Sequence, residues 1–323
     1  MSWFNPFQTK GKTPSRRTPE QAPPEWTPAP EQSHDWGLFH EATDSEFQSA
    51  EAFCAQHPVE PPKLLPSNQV ERIDEEGCRA WTIEHPRSSR FTGQIVRAGA
   101  EKTAAVTRIA TTNACGDVCL FSNLPIMAGL YEIHGKSGVY YEITVKKMRG
   151  IIAIGEFLLL LVKRASHRKT GTACRPYPDW RFPGWNRCSV GLHLDDMRKF
   201  FEDPNGGRDY DPLLSSFSEG DVIGCGYDFA ASSVFFTYNG RRLTDAFGGV
   251  YVPRTKYDVY VAIGLVGECD LEVNFGGELF TWKEGNEWAW RVEGHVGRLS
   301  VTSSSTAPAV DGLPTYDEVR RRH

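Results

Sequence analysis

The sequence predicts an all-β domain preceded by short helices, and three observations lead to this fold class. After Trp81, short apolar segments with alternating polar positions are separated by Gly, Pro, Asn and Asp, a pattern typical of antiparallel strands. Before Trp81, the apolar residues recur at helical spacing. The chain has 323 residues, of which 40% are hydrophobic, so it can bury one sizeable core and still carry flanking extensions.

The flank before the strands divides into two parts. Residues 1–35 are rich in proline and polar side chains, a composition that cannot bury enough apolar surface to fold, so we predict a disordered arm. Residues 36–84 are predicted to form a helical region that packs on the main domain. There the Thr-Asp-Ser-Glu capping box that begins at Thr43 starts a helix ending before Pro58, and a second helix covers residues 68–76.

The strand predictions depend on period-two alternation. In residues 139–146 the odd positions are apolar while Glu142, Thr144 and Lys146 share the other face, as expected for a half-buried strand. Residues 233–238 are followed by an Asn-Gly pair, which predicts a hairpin with a type I′ turn. The same alternation predicts further strands at residues 222–227, 259–264 and 271–275.

The composition argues against several classes of function. The net charge is -5, and the one run of three basic residues, Arg320–Arg322, gives no basic surface for nucleic acid. The longest apolar run, residues 157–162, is far shorter than the ~20 residues that span a bilayer. We therefore expect a protein of the cytosol or nucleus. The eight scattered cysteines are expected to be reduced thiols, several of them in the core.

Several blocks in the strand-rich part resemble one family in content and in order. Residues 138–142, Gly-Val-Tyr-Tyr-Glu, are similar to the opening strand of the SPRY (B30.2-like) domain. Residues 176–185, which end in Phe-Pro-Gly-Trp, resemble the family's Arg-Leu-Pro-Gly-Trp loop, and residues 189–196 resemble its Gly-Tyr-His-x-Asp-Asp segment. The remaining blocks follow in the family's order, at residues 220–225, 235–240, 260–264 and 273–276.

The resemblance implies a fold and a mode of action. SPRY domains are two-layer antiparallel, concanavalin-like β-sandwiches that bind a protein or peptide through loops at one edge, and we expect such a sandwich over residues 85–297. The loop at residues 176–185 is most similar to that of fungal SPRY adaptors, which bring cargo to Nedd4-type ubiquitin ligases. The resemblance implies no cofactor and no metal.

The candidate partner-binding loop covers residues 175–186. Its aromatic side chains are expected to form a clamp, and its arginines to supply charge, because these residue types dominate binding hot spots. The alternative is that its Pro-Gly-Trp run mainly braces the sandwich. The predicted contact residues are Arg175, Tyr177, Trp180, Arg181, Trp185 and Asn186.

A second candidate site lies in the C-terminal tail, residues 298–323, which we predict to be disordered. Leu313, Pro314 and Tyr316 form Leu-Pro-x-Tyr, a variant of the Pro-Pro-x-Tyr ligand of WW domains, placed after a Ser/Thr/Ala/Pro linker. The alternative is a chance match. The sequence thus predicts a substrate adaptor for a WW-domain ubiquitin ligase; the alternative is a SPRY scaffold in another assembly, of chromatin or Ran-binding type.

An enzymatic interpretation is weaker. Glu268, Asp270 and Glu272 alternate on one strand, as carboxylates do in jelly-roll glycosidases. The two glutamates would lie ~13 Å apart, beyond the ~5.5 Å and ~9.5 Å of glycosidase pairs, so a solvated face is the simpler interpretation. Cys115 and Cys119 lack the second ligand pair of a zinc site, and His193 is expected to be a structural, hydrogen-bonded histidine. No catalytic residue is predicted.

Residues 156–171 interrupt the family resemblance. In the family, the strand at residues 151–155 leads almost directly into the aromatic loop, whereas here a Leu-rich run and a basic run intervene without alternation or turn residues. Our hypothesis is a retained intron, because Gly-Glu-Phe can be encoded with the donor sequence GTGAGT and Thr-Gly with a terminal acceptor AG. The alternative is a genuine loop, or a helix that extends the rim of the sandwich.

Overall fold

The computed structural model describes residues 43–98, 105–157, 175–250 and 258–299. The predicted proline-rich arm, most of the anomalous segment and the Leu-Pro-x-Tyr motif lie outside these residues and stay predictions. In the parts of the chain that the structure describes, no helix has the length and apolar character that a bilayer crossing requires.

Two helices precede the strands, as predicted. Helix α1 covers Asp44–Gln56, and the Oγ1 atom of its N-cap residue Thr43 accepts a hydrogen bond from the backbone N–H of Glu46 at 3.3 Å. Helix α2 covers Ser67–Glu76 and ends at Gly77, whose φ of 62° is the left-handed conformation that glycine adopts without strain. The capping box and the glycine stop thus set the helix ends.

The described residues form two antiparallel sheets, which confirms the predicted fold class. The seven-stranded sheet has the order β1-β2-β13-β4-β9-β10-β11, and the six-stranded sheet has the order β3-β12-β5-β6-β7-β8. The strands are β1 (Gly93–Ala98), β2 (Val106–Thr111), β3 (Val118–Phe121), β4 (Gly138–Met148), β5 (Ile151–Phe157), β6 (Ser189–His193), β7 (Arg198–Phe201), β8 (Arg208–Asp209), β9 (Val222–Asp228), β10 (Ser233–Tyr238), β11 (Arg241–Phe247), β12 (Val261–Val266) and β13 (Cys269–Asn274).

The core lies between the two sheets. On β4, which is at the centre of the seven-stranded sheet, Val139, Tyr141, Ile143 and Val145 are buried in the main apolar cluster, as the alternation predicts. The six-stranded sheet contributes the alternate residues of β5 and β12 to the same cluster. Each such buried side chain stabilises the fold by roughly 1.5–3 kcal/mol.

The predicted hairpin is confirmed. Strands β10 and β11 pair antiparallel, and Asn239 and Gly240 between them have φ values of 48° and 78°, as a type I′ turn requires. The Asn239 side chain also accepts a hydrogen bond from the Val222 N–H at 2.8 Å, which ties the turn to the neighbouring strand.

The outer face of the seven-stranded sheet differs from the sequence prediction. Glu142 was expected on a solvated face, but it is buried because residues 280–290 pack over this part of the sheet. Its carboxylate accepts hydrogen bonds from Tyr140 Oη (2.8 Å), the Thr281 N–H (2.8 Å) and the Trp282 N–H (2.9 Å). An aromatic cluster closes this cover, formed by Tyr140, Phe235, Phe280, Trp282 and Trp290.

Candidate functional site

The candidate loop, residues 175–186, lies across the outer face of the six-stranded sheet; we call it, together with the two residues that follow (residues 175–188), the Trp loop. At one end, Tyr177 packs with Cys119 of β3 and Ala262 of β12. At the other end, Phe182 and Trp185 pack against the outer residues of β5 and β7. The Trp loop therefore covers a sheet face that would otherwise be apolar and exposed.

Local geometry explains the residue types in the Trp loop. The Tyr177 hydroxyl donates to the Phe182 carbonyl at 2.7 Å and accepts from the Asn186 N–H at 3.3 Å, so it closes the loop on itself. Phe182 and Trp185 stack with ring centroids 5.0 Å apart. Gly184 between them has a φ of 95°, and a Cβ atom there would lie 2.5 Å from the Phe200 Cβ, so glycine is required.

Arg181 is the most unusual residue of the Trp loop. Its side chain is fully buried, its Nε donates to Asn186 Oδ1 at 2.7 Å, and its guanidinium lies 4.4 Å from the centroid of the Trp185 ring. Its two terminal nitrogens have no hydrogen-bond partner among the described residues. Burial lowers the pKa of Arg181, and the field of nearby acidic groups, including Glu46 and Glu51, opposes this shift.

Helix α1 covers the Trp loop on its outer side. Arg187 donates to the carbonyl oxygens of Cys54 and His57 at the end of the helix, and Asn186 Nδ2 donates to Glu51 Oε1 at 3.1 Å. Phe53 meets Trp180 edge-to-face, with ring centroids 5.6 Å apart. The outer face of the six-stranded sheet thus has two covering layers, the loop and then the helix.

These contacts decide where the six predicted contact residues lie. Tyr177, Arg181, Trp185 and Asn186 are buried, so in this structure they shape the loop and do not offer an exposed clamp. For these four residues the alternative given above, in which the loop braces the sandwich, agrees with their burial. The remaining two, Arg175 and Trp180, are partly exposed.

Arg175 lines a cleft beside the rest of the Trp loop. The cleft has a volume of about 580 Å³ and is built from four separate stretches of the chain: residues 60–63, 84–87, 119–121 and 175–179, with Asp258 and Tyr260 closing it. Its rim carries charges of both signs, contributed by Glu60, Lys63, Glu84, Arg87, Asp179 and Asp258.

The Arg175 side chain is fixed at the wall of this cleft. Its guanidinium carbon lies 4.2 Å from the centroid of the Tyr260 ring and 5.1 Å from that of Phe121. It donates to the Ser122 carbonyl at 2.7 Å and forms an ion pair of 3.1 Å with Glu84. Arg175 is therefore a rigid, aromatic-flanked cation at an accessible cavity.

The sequence pattern predicted Arg175 as a contact residue but gave no sign of the residues around it. Phe121 ends β3, Glu84 follows the helical flank, and Tyr260 precedes β12, so no local pattern links them. Tyr260 lay within a block that resembled the family, but that block was interpreted only as a strand.

The match to known families agrees with this architecture. The family profile described as the SPRY domain matches residues 138–278, from the start of β4 to just beyond β13. Residues 138–278 therefore correspond to a SPRY domain.

Several fungal proteins are similar to this chain. A SPRY domain-containing protein of Schizosaccharomyces pombe is 37% identical over 130 residues, which cover 40% of this chain and 31% of that protein. Protein ssh4 of Sclerotinia sclerotiorum is 28% identical over 260 residues, 79% of this chain and 42% of the relative. Protein ssh4 of Neurospora crassa is 28% identical over 260 residues, 79% and 43% of the two chains. The chain thus spans less than half the length of these curated relatives.

Two solved structures are similar as well. The crystal structure of a human SPRY domain matches 58% of this chain and 99% of its own, at 22% identity and a TM-score of 0.38. The SPRY domain of human HERC1 matches 57% of this chain and 94% of its own, at 14% identity and a TM-score of 0.36.

The carboxylates that suggested a glycosidase lie on the outer face of the SPRY domain in ion pairs. Glu268 pairs with Lys147 at 2.6 Å, Asp270 with Arg108 at 2.6 Å, and Glu272 with Lys146 at 2.9 Å. The hydrogen bond from Lys147 lowers the pKa of Glu268, whereas a general acid needs a raised one. The arrangement is that of a solvated, ion-paired strand face.

Two further side chains of reactive type, His193 and Cys119, are buried. His193 is buried, with Nε2 3.0 Å from the Pro183 carbonyl, and burial lowers its pKa to about 4, so the structural role predicted for it is confirmed. Burial also raises the pKa of Cys119 well above its usual value, which keeps it a thiol. The seven cysteines of the described ranges are all buried, and within those ranges no group of His, Cys, Asp and Glu has the geometry to hold a metal ion.

Proposed function

We propose that this chain is a substrate adaptor. A SPRY domain is a protein-interaction module, and in this proposal the cleft at Arg175 binds a segment of a cargo protein. The tail motif of Leu313, Pro314 and Tyr316 then recruits a WW-domain ubiquitin ligase of the Nedd4 type. The protein would act in the cytosol and reach endosomes or the vacuole through these partners.

The observation that carries the proposal is the cleft itself. Its volume of about 580 Å³ lies in the range of roughly 300–1,000 Å³ that is typical of ligand sites, so it suits a few residues of an extended segment. Arg175 and Tyr260 at its wall belong to the residue types that dominate hot spots, and both are held by a rigid sandwich. The mixed charges of the rim favour a polar peptide with charged side chains.

The cleft is tested with Tyr260→Ala. Affinity purification of the full chain, with quantification of each co-purified protein, should show that at least one partner is recovered about tenfold less well, because Tyr260 forms the aromatic wall. The matched control is Trp288→Ala, which removes an exposed aromatic ring from another part of the surface and should leave recovery unchanged. If Tyr260→Ala and Trp288→Ala recover all partners equally, the cleft is not the cargo site.

The ligase arm is tested separately with purified WW domains. Tyr316→Ala and Pro314→Ala should each abolish capture of the full chain, since a WW domain reads the proline turn and the tyrosine. Thr315→Ala, at the variable position, is the matched control and should bind normally. Equal capture of wild type and Tyr316→Ala, with cargo still bound at the cleft, would leave a SPRY scaffold with no ligase role.

A further inference from the structure

Helix α1 rests on the Trp loop in the way a bound ligand would. It carries Asp44, Glu46 and Glu51 and no basic residue, whereas the loop beneath presents arginines. We call the residues that it covers the helix-docking surface, defined as Trp180, Arg181, Asn186 and Arg187. The contacts across this surface are mainly polar, and Arg187 completes them by binding the carbonyl oxygens at the helix C-terminus.

Helix α1 buries few apolar side chains against the rest of the structure. Of its thirteen residues only Ala50 and Cys54 are buried; Phe47 and Phe53 are half-buried, Phe53 against Trp180, and the half-buried Glu46 forms an ion pair of 3.3 Å with Arg90. The connection that follows is mostly exposed; it is held where Arg187 donates to the His57 carbonyl, where Val59 packs beside Tyr177, and where the Glu60 N–H donates to the Arg175 carbonyl at 3.0 Å. An element with few buried apolar contacts, followed by a mostly exposed connection, is the kind that opens locally without unfolding the domain.

Helix α1 does not satisfy the hydrogen-bonding capacity of Arg181 in the surface that it covers. The guanidinium is fully buried beneath the helix, yet neither Glu46 nor Glu51 accepts a hydrogen bond from it, and both terminal nitrogens stay unpaired among the described residues. A helix that brings a carboxylate to these two nitrogens would form a bidentate pair that α1 lacks. The surface therefore has an unmet preference for a carboxylate.

We propose that the helix-docking surface is a second interaction site, which takes an acidic helix of a partner protein, and that α1 occupies it in cis. The inference rests on the proposed role as a protein-interaction module, but it is independent of the cleft and of the tail. A tethered helix competes at an effective concentration in the millimolar range, so a partner must bind more tightly than α1 or act when α1 is open.

The test uses the full chain and a fluorescein-labelled peptide of residues 43–58 as the probe, with binding followed by fluorescence anisotropy. Wild type should bind the peptide weakly, because α1 competes in cis. Ala50→Glu places a charge at the buried side of α1 and should raise peptide affinity by about tenfold or more. Phe53→Ala, which weakens α1 without a buried charge, should raise it less and serves as the second variant if Ala50→Glu fails to fold.

Two controls identify the surface and the chemistry. Adding Arg187→Glu to either variant should abolish peptide binding, whereas Tyr260→Ala in the cleft should not change it. A peptide with Asp44→Asn, Glu46→Gln and Glu51→Gln should bind about fivefold more weakly or worse, because it loses the attraction to the loop arginines.

Three results would overturn the proposal. The first is equal peptide affinity for wild type and both α1 variants. The second is undiminished binding of the neutral peptide. The third is a concentration-dependent dimer of the Phe53→Ala chain in light scattering, which would make a second copy the occupant. None of these results bears on WW-domain capture through Tyr316, so failure here and failure of the adaptor proposal are distinguishable.

Discussion

On the outer face of each sheet a charged side chain is buried under a covering segment, and the two side chains differ in how completely they are hydrogen-bonded. On the seven-stranded sheet, Glu142 accepts three hydrogen bonds, two of them from the backbone of the segment that covers it. On the six-stranded sheet, Arg181 makes one side-chain hydrogen bond, to Asn186 within its own loop, and none to α1. In the helix-docking proposal this difference separates the two covers: the aromatic segment satisfies the charge beneath it, whereas α1 leaves Arg181 unsatisfied and is the cover that a partner helix replaces.

A third buried charge sharpens this comparison. Glu156 lies on the core side of β5, fully buried, and neither carboxylate oxygen has a conventional hydrogen-bond partner in the described residues. Burial raises its pKa to about 8, and the neighbouring Cys225 thiol opposes this shift only in part. Glu156 is also the first residue of the segment that interrupts the family resemblance.

The largest expected effect is at Glu142. Glu142→Ala leaves the buried Trp282 N–H and the partly buried Thr281 N–H without this acceptor, so we expect the free energy of unfolding to fall by about 3–5 kcal/mol. Glu142→Gln keeps one acceptor oxygen, so its free energy of unfolding should fall by about half as much as that of Glu142→Ala. Urea unfolding of both variants measures this. A loss below about 1 kcal/mol for Glu142→Ala would show that the aromatic cover does not depend on the carboxylate.

The next effect is the pH dependence caused by Glu156. Between pH 4.5 and 8 the folded state holds a proton on this carboxyl that the unfolded state has released, so stability falls as pH rises through this window and levels off above it. By pH 7 the cost is on the order of 3 kcal/mol. Glu156→Gln should remove this part of the slope in unfolding experiments at pH 5 and pH 8. Identical slopes for the two chains would mean that Glu156 is solvated or paired.

The retained-intron hypothesis makes a related prediction. Deleting residues 156–171 joins Gly155 to Thr172 and replaces the buried carboxylate with a neutral side chain. At pH 7 the free energy of unfolding of the chain that lacks residues 156–171 should exceed that of the full chain by a similar amount, on the order of 3 kcal/mol. Transcript sequencing provides the independent test, since messages that all contain the segment would eliminate the intron.

A smaller effect, of opposite sign to that of Glu142, is expected at Arg181. Arg181→Met removes a buried cation that is largely unpaired, so stability should stay constant or rise by about 1–2 kcal/mol. Arg187→Met is the matched control, because Arg187 donates to three carbonyl oxygens, and it should lower stability by about 1 kcal/mol. A loss of 3 kcal/mol or more for Arg181→Met would show that this guanidinium is paired in solution.

Local patterns were enough to predict the all-β class and several elements, whereas the two-layer arrangement was predicted from the family resemblance. Alternation placed β4 and its core residues, the Asn-Gly pair placed the β10–β11 turn, and the capping box placed the start of α1. The two covers could not be predicted in this way. The burial of Glu142 depends on residues some 140 positions later, and the burial of the Trp loop depends on a helix more than 100 positions earlier, so neither leaves a periodic signal. The cleft at Arg175 could not be predicted for the same reason, because it forms where chain segments distant in sequence meet.

Hydrogen exchange of the full chain tests the difference between the two covers most directly. The amides of residues 47–57 in and after α1 should exchange about 100-fold faster than those of residues 281–290, because α1 opens locally while the aromatic cover opens only with the domain. In low concentrations of denaturant, only the exchange of residues 281–290 should accelerate. Equal protection of the two segments, with the same response to denaturant, would contradict an exchangeable α1 and with it the helix-docking surface.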